Sequence, residues 1–402
     1  MGSTQVLDLR TQFPSLKDGL IYLDTAATSL KPRCVVQAIS DFYLHDCAPI
    51  HRGIYTRARL ADERFFKARQ SVQHFIGAQS TEEIVFTYNT TNALNLLAHS
   101  YCKAFLQPND AILISEIEHH SNLVPWQMVC NQMGLRLLYV RVTDCGEIDL
   151  DHFQELLQQG VKFVSLAHIS NITGTIHPVE TLVRLAHEVG AKICLDGAQA
   201  AAHLPVDVRG LDVDFYAFSS HKIYGPTGVG VLYGKKQLLE QMEPIAGGGD
   251  MIDQVTLSGS RWAPLPQKFE AGTGATAEVL GFARALEFVL EQGFEAISRI
   301  EEQLLTYALA RFTEFPTITL LGPSKNRGGL LSFVVEGVHP LDLATLLDCK
   351  KVAIRTGHLC SQPAMARFGV THVSRLSFGI YNTTDDLDQF FTALTWALRQ
   401  FT

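Results

Sequence analysis

The sequence lacks the features of a nucleic-acid-binding or membrane-binding protein. Its 33 Lys and Arg are outnumbered by 41 Asp and Glu, which gives a formal net charge of -8. It has no long basic run, although binding to nucleic acid or to a membrane surface needs a positive face. No apolar run approaches the ~20 residues that cross a bilayer, and the stretch "MGSTQVLDLRTQF" has no basic segment followed by an apolar core, which a secretory signal would have. We therefore expect a cytoplasmic protein that acts on a small molecule, with no nucleic-acid or membrane partner.

The sequence also lacks the cysteine patterns of a metal cluster or a disulfide framework. It contains no Cys-x-x-Cys pair, and its cysteines are spread along the chain. This distribution is typical of reduced thiols in a cytosolic protein, so a chemically active cysteine must be recognised from its neighbours. The eight cysteines are Cys34, Cys47, Cys102, Cys130, Cys145, Cys194, Cys349 and Cys360.

Internal repeats and low-complexity segments are absent, and the composition, 47% apolar and 18% charged, is that of a globular protein. From about residue 80, short β-branched runs alternate with stretches of helical periodicity. The runs predicted as strands are "EEIVFT", "DAILIS", "LRLLYV", "KFVSLAH", "KICLD", "DFYAFS" and "VGVLY". Because most of them are apolar along their whole length, we predict an α/β fold whose seven-stranded, mostly parallel sheet lies between helices.

A chain of 402 residues favours two domains. Two long helical patterns follow each other at about residues 275–313 with no strand between them, and shorter strands and helices come after them. We therefore expect a large domain over residues 22–285. A smaller α/β domain would combine residues 1–21 with 286–402.

Ligands of mostly parallel sheets bind beyond the carboxyl ends of the strands. In "KICLDGAQ", Asp196 stands where an apolar strand ends, and Gln199 follows. A turn aspartate satisfied by backbone amides is the simpler interpretation. In "IVFTYNTTNALN", Thr90 and Thr91 stand between a strand and a helix, where free amides attract phosphate, although either could be only an N-cap.

Two histidines, His119 and His120, lie between a strand and a helix in "SEIEHHSNLVPW". They could bind zinc, but no Cys or His stands nearby at ligand spacing, so we expect no metal. An imidazole stacked on a flat ligand is the alternative.

The segment "FSSHKIYGPTG" places Lys222 behind a buried strand. If the backbone stays extended, Ser219 and His221 lie on one side of it and Lys222 on the other. A buried lysine loses its proton easily and reacts with carbonyl groups, whereas a solvated surface lysine is the ordinary alternative. Together the strand ends present an amine, an acid, a flat partner and a phosphate site, and pyridoxal phosphate requires all four.

The segment "VAIRTGHLCSQP" brings Arg355, His358 and Cys360 together near a predicted strand end. Positive or imidazole groups lower the pKa of a nearby thiol and make it a nucleophile. Arg375 interrupts the apolar strand "HVSRLSFG" and needs an anion, either a substrate carboxylate or an internal ion-pair partner.

These motifs, with "SNITGT" and "YLDTAATSLKP", make the sequence resemble the SufS/CsdA-type (group II) cysteine desulfurases of the class V aminotransferase group almost from end to end. The resemblance implies a fold type I pyridoxal-phosphate enzyme that converts L-cysteine to L-alanine and keeps the sulfur as an enzyme persulfide. An acceptor protein of the SufE/SufU type would then take the sulfur, for iron–sulfur cluster assembly. Alternatives are a selenocysteine lyase acting on L-selenocysteine, a cysteine/cystine C–S lyase, and a non-catalytic scaffold.

The resemblance also implies residue roles. Lys222 would bond to the cofactor aldehyde and move the substrate proton, Asp196 would pair with the pyridine nitrogen, Gln199 would bond the ring hydroxyl, and His119 would stack on the ring and share in catalysis. The phosphate would be held by Thr91, Ser219 and His221.

Substrate residues follow in the same way. Asn171, Arg355 and Arg375 would bind the substrate, and Cys360 would attack its sulfur. Thr273, in "AGTGA", would reach the phosphate of a second subunit, so a homodimer is expected.

Three segments depart from the family pattern. Asn89 and Asn92 replace a glycine and a glutamate, but asparagine tolerates the turn conformation that glycine would adopt, so we expect phosphate binding to survive. Leu359 replaces a histidine beside Cys360, which we expect to change the tuning or mobility of the thiol. Gly274 and Ala275 follow Thr273 where the family has proline and asparagine, which weakens the prediction for Thr273.

Overall fold

The computed structural model describes residues 9–51 and 53–401. The strands are β1 (Ile21–Tyr22), β2 (Ile84–Thr87), β3 (Ala111–Ser115), β4 (Arg136–Val140), β5 (Val161–Ala167), β6 (Lys192–Asp196), β7 (Phe215–Ser219), β8 (Gly230–Gly234), β9 (Ile252–Thr256), β10 (Gly259–Trp262), β11 (Ile318–Leu320), β12 (Leu330–Val335), β13 (Val352–Ala353), β14 (Arg355–Gly357) and β15 (Val373–Ser377).

The α-helices are α1 (Arg33–Asp41), α2 (Thr56–Phe75), α3 (Thr90–Phe105), α4 (Val124–Met133), α5 (Leu150–Leu157), α6 (Val179–Glu188), α7 (Lys236–Gln241), α8 (Thr276–Gln292), α9 (Phe294–Phe312), α10 (Pro340–Asp348), α11 (Gln362–Arg367) and α12 (Thr384–Leu398). Among the described residues, no helix is long and apolar enough to cross a membrane.

The central sheet has seven strands in the order β2-β8-β7-β6-β5-β3-β4. β7, β6, β5, β3 and β4 are parallel, while β8 pairs antiparallel with both β7 and β2. The predicted α/β fold with a mostly parallel seven-stranded sheet is therefore confirmed.

Both faces of this sheet are covered by helices. Along β7, Phe215 and Ala217 pack in one buried apolar cluster, whereas Tyr216 and Phe218 pack in the cluster on the other face. Successive strand residues point to opposite faces, so a strand covered on both sides must be apolar throughout. This requirement explains the continuous apolar runs in the sequence.

A second sheet has four antiparallel strands in the order β11-β12-β15-β14. A third buried apolar cluster joins it to α9, α10 and α12. β1 pairs with β13, which places the chain near Ile21 beside this second sheet. The domain boundaries given above stay a prediction, and residues 1–8 of the proposed small domain lie outside the described residues.

Candidate active site

A cavity of about 270 Å³ lies beyond the carboxyl ends of β5, β6 and β7. It brings together nearly all of the residues that the sequence singled out. They are Thr91, His119, Asn171, Asp196, Gln199, Ser219, His221, Lys222, Arg355, Cys360 and Arg375. Thr273 instead lines a separate cavity of about 160 Å³ together with Tyr88 and Ile245.

Asp196 is the last residue of β6 and is only 6% exposed. Its Oδ1 accepts a hydrogen bond from the Ala198 N–H at 2.9 Å, which is the backbone contact of a turn aspartate. Asp196 also lines the cavity, so both interpretations of this residue hold. Burial raises the pKa of Asp196. The hydrogen bond from the Ala198 amide and the positive charge of Lys222 offset only part of this increase. Gln199 is fixed by a hydrogen bond from its Nε2 to the carbonyl of Ala26.

Lys222 follows β7 in a 3-10 turn of residues Ser220–Lys222. The expected extended backbone beyond Phe218 was therefore wrong, because the amides of Ile223 and Gly225 both donate to the Ser220 carbonyl and close a turn. Because of this turn, Ser219, His221 and Lys222 all line one cavity. In an extended strand, successive side chains point to opposite sides, and Lys222 would have pointed away from the other two. Burial lowers the pKa of the Lys222 amine to about 8.

The amino end of α3 faces the same cavity. Asn89 is the N-cap, and its side chain accepts a hydrogen bond from the Asn92 N–H at 2.8 Å. Its φ of -174° is extended, so Asn89 does not use the turn conformation that asparagine tolerates, and its side chain caps the helix instead. The Thr90 N–H donates to Ser219 Oγ, and Thr91 Oγ1 bonds Ser121 Oγ. The hydroxyls and the helix dipole at this end of α3 suit a phosphate.

His119 is held as a neutral imidazole. Its Nδ1 accepts the Ser121 N–H at 3.1 Å, which leaves the proton on Nε2. Burial, with Lys222 as the next cause, lowers the pKa of His119 to about 3. The preceding Glu118 was not singled out by the sequence, yet it is buried and accepts hydrogen bonds from Ser115, Asn122 and the Ala167 amide.

Arg375 is 3% exposed and lines the cavity from the second sheet. Its Nη1 donates to the Asn171 carbonyl at 2.9 Å, and its Nη2 lies 3.5 Å from Asp24 Oδ1. Arg355 Nη1 is 3.9 Å from the other Asp24 oxygen. The expected internal ion pair is therefore present, but Nε of Arg375 has no hydrogen-bond partner among the described residues. Asp24 was missed, because nothing in "YLDTAAT" marks it as a partner of arginine.

Cys360 is exposed and lies in the loop between β14 and α11. Both Leu359 and Cys360 have positive φ angles, 51° and 55°. Cys47, Cys145 and Cys349 are exposed too, but none of them lines this cavity. Cys102, Cys130 and Cys194 are buried, and burial raises the pKa of each thiol. Position and exposure together therefore single out Cys360.

Comparisons with known proteins agree with this geometry. The profile of the family described as "Aminotransferase class-V" matches residues 21–390. A probable cysteine desulfurase of Halalkalibacterium halodurans is 46% identical over 369 residues, which cover 92% of this chain and 91% of that protein. The apo structure of a cysteine desulfurase from Thermococcus onnurineus has a TM-score of 0.94 at 36% identity and covers 98% of both chains. The cysteine desulfurase CsdA of Escherichia coli, in its S-sulfonic acid form, has a TM-score of 0.93 at 38% identity and covers 99% of both chains.

Proposed function

The chain belongs to the class-V aminotransferase family, and from that premise we propose that it is a pyridoxal-phosphate-dependent cysteine desulfurase. The predicted family and fold type I architecture are confirmed. The observation that carries the activity is the shared cavity of Lys222, a lysine with a lowered pKa, and Cys360, an exposed thiol. A transaminase would not require the thiol.

The residues of the cavity fit pyridoxal phosphate. The buried carboxylate of Asp196 suits the pyridine nitrogen, the neutral ring of His119 suits a stacked face, and the amino end of α3 with Ser219 and His221 suits the phosphate. Burial also lowers the pKa of His221 to about 4, so it is a neutral donor at pH 7. When bound, the cofactor supplies an aldehyde that bonds to amines and a ring that withdraws electrons from the substrate's α-carbon.

Side chains of the cavity would bind L-cysteine and accept its α-proton. Arg375 binds the carboxylate of L-cysteine through the edge that carries the unpartnered Nε, while Asn171 and Asp24 fix the orientation of its guanidinium. Nζ of Lys222 accepts the α-proton, because a pKa of about 8 leaves a useful neutral fraction near pH 7. Arg355 adds positive charge beside the same carboxylate site.

Cys360 receives the sulfur. A new S–S bond forms at Sγ of Cys360 as the C–S bond of the substrate breaks. The electron pair of that bond stays with carbon, which is protonated to the methyl group of alanine. The products are alanine and a persulfide on Cys360, with no external oxidant or reductant.

The test compares alanine formation from L-cysteine by the wild type, by Cys360→Ala and by Cys349→Ala. Cys349 is an exposed cysteine outside the cavity, so its replacement is a matched control. We expect alanine from the wild type and from Cys349→Ala, and almost none from Cys360→Ala. Pyruvate formation that survives in Cys360→Ala would instead identify a C–S lyase, and comparing L-selenocysteine in the same assay measures the preference for selenium.

We also propose a homodimer. Apolar side chains are exposed on the face that carries the Thr273 cavity, including Tyr88 and Ile245, and Leu257 is fully exposed at the turn of the β9–β10 hairpin. An exposed apolar surface of this kind is typical of an interface.

Light scattering should give twice the mass of one chain, and Tyr88→Glu should shift the protein toward the monomer. Thr273→Ala should stay dimeric but lose cofactor faster on dialysis, whereas unchanged retention would contradict its role.

The sulfur acceptor is proposed to be a protein of the SufE/SufU type in the cytoplasm, serving iron–sulfur cluster assembly. Exposure of Cys360 supports transfer to another protein, and eight free thiols suit a reducing compartment. Incubating the persulfide-loaded protein with such an acceptor and weighing both proteins would detect the transferred sulfur atom.

A further inference from the structure

His120 is the second histidine of the "HH" pair, and it contacts both Cys360 and the residue two positions after it. Its backbone N–H donates to the Cys360 carbonyl at 2.6 Å. Its side-chain Nε2 accepts the backbone N–H of Gln362 at 3.1 Å. His120 precedes α4 beside the central sheet, whereas Cys360 and Gln362 follow β14 of the second sheet, so these contacts join two separate parts of the fold.

The loop of residues 358–362, called the Cys360 loop below, needs such contacts. Leu359 and Cys360 both lie in the left-handed region, which is unfavourable for residues other than glycine, asparagine and aspartate. A loop in this conformation persists only if its surroundings hold it. Asn171 contributes two further contacts, from its Nδ2 to the Leu359 carbonyl and at its Oδ1 from Ser361 Oγ.

The Gln362 contact depends on the protonation of His120. Nε2 can accept a hydrogen bond only while it carries no proton, so the neutral ring must carry its proton on Nδ1. The titratable groups beside His120 are His119 in the same turn, and His358 and Cys360 in the loop. Burial, and then His358, lower the pKa of His120, so the contact is present at pH 7 and is lost as the pH falls below the ordinary histidine range near 6.5.

We propose that His120 is a positioning residue that holds the Cys360 loop over the cavity while its ring is neutral and releases one side of the loop when the ring is protonated. The inference rests on the proposed function only in assigning the sulfur-carrying role to Cys360. It adds that a residue outside the loop fixes the position of Cys360, and that acid weakens this contact.

Hydrogen exchange of the holoenzyme measures the contact directly. The protection of the Gln362 amide is followed from pH 5 to pH 8, with each rate divided by the intrinsic rate at that pH. The control for the His120 substitutions is the Arg141 amide, which donates to Nδ1 of a different histidine, His152, at the same distance of 3.1 Å and lies far from the Cys360 loop in the sequence, so changes at His120 should leave its protection unchanged. No turnover is needed, so the result is independent of the desulfurase assay.

Two variants separate the effect from a general loss of structure. His120→Ala removes the acceptor, so at pH 8 the protection of Gln362 should be roughly two- to tenfold below that of the wild type, because one hydrogen bond is lost, and it should not vary with pH. His120→Gln offers an amide oxygen near the position of Nε2 that cannot be protonated, so protection should return and stay constant with pH. The wild type should match the Gln variant at pH 8 and move toward the Ala variant as the pH falls.

The same samples report on the thiol. At a fixed pH of 7.5, alkylation of Cys360, read from the mass of its peptide, should be about two- to tenfold faster in His120→Ala than in the wild type or in His152→Ala. Wild-type protection of Gln362 in His120→Ala, or a wild-type fall in protection with acid in His120→Gln, would overturn the proposal. Alanine production could fail without changing these results, and that failure would concern the proposed function instead.

Discussion

Replacing Arg69 by methionine should destabilise the protein strongly although Arg69 lies outside the cavity. Arg69, on α2, is 3% exposed. Its Nη1 and Nη2 contact the two carboxylate oxygens of Glu270 at 2.6 and 2.8 Å, and Nη1 also donates to the Ile84 carbonyl. The guanidinium carbon lies 4.5 Å from the ring centre of Phe86. These contacts fix the segment that runs into Thr273.

The expected magnitude follows from what the variant leaves behind. Methionine fills a similar volume, but Glu270, whose side chain is 14% exposed, loses its counter-ion and keeps only the Phe86 N–H at 2.7 Å. Removing one partner of a buried ion pair costs about 3–5 kcal/mol. With an unfolding entropy of about 2.1 cal/mol/K per residue over 402 residues, this corresponds to a decrease in Tm of roughly 4–6 °C.

The assay is thermal unfolding of the holoenzyme followed by circular dichroism. Arg284→Met is the control, because Arg284 makes a similar two-point contact with Glu291 on the surface of α8, at 2.9 and 3.3 Å. Exposed pairs contribute about 0–1 kcal/mol, so its Tm should change by about 1 °C or less. The double variant Arg69→Met with Glu270→Gln should recover much of the lost stability. Equal changes for Arg69→Met and Arg284→Met would refute the reasoning.

Two further predictions concern the cavity. In cofactor-free protein, the rate of reaction with pyridoxal phosphate should rise with pH and level off above about pH 8, because the neutral amine is the nucleophile and burial lowers the pKa of Lys222 to that value. Stopped-flow absorbance follows the reaction, Lys222→Ala should lose it, and a rate still rising toward pH 10 would contradict the assignment. Arg375→Lys should raise KM for L-cysteine roughly tenfold or more with a smaller change in kcat, because a charge-assisted hydrogen bond of about 1.5–3 kcal/mol is weakened. Steady-state kinetics check this, and a fall in kcat alone would count against carboxylate binding by Arg375.

Much of the fold could be predicted because the sheet is covered on both faces. β7 and its neighbours had to be apolar throughout, and the run "DFYAFS" predicted as a strand contains the whole of β7. No comparable pattern marks α2. Its face toward the core is built partly from alanines, such as Ala61 and Ala68, and it includes Arg69, whose burial depends on a partner far away at Glu270.

The site could be predicted where single strands end in unusual residues, as at Asp196 and Lys222. The remainder depends on contacts between distant segments. The pairing of Asp24 with Arg375 joins residues 351 positions apart, and the contact of His120 with Gln362 spans 242 positions. The prediction that the backbone stays extended after Ser219 was wrong. Hydrogen bonds to the Ser220 carbonyl close a turn there, and no sequence pattern indicates these backbone contacts.

The most direct test of the central claim is the mass of the Cys360 peptide after the cofactor-loaded protein has reacted with L-cysteine, measured before any reductant is added. We expect one additional sulfur atom on Cys360, alanine in solution in equal amount, and no added sulfur on the exposed Cys47, Cys145 and Cys349. Pyruvate and ammonia with an unmodified Cys360 would contradict it.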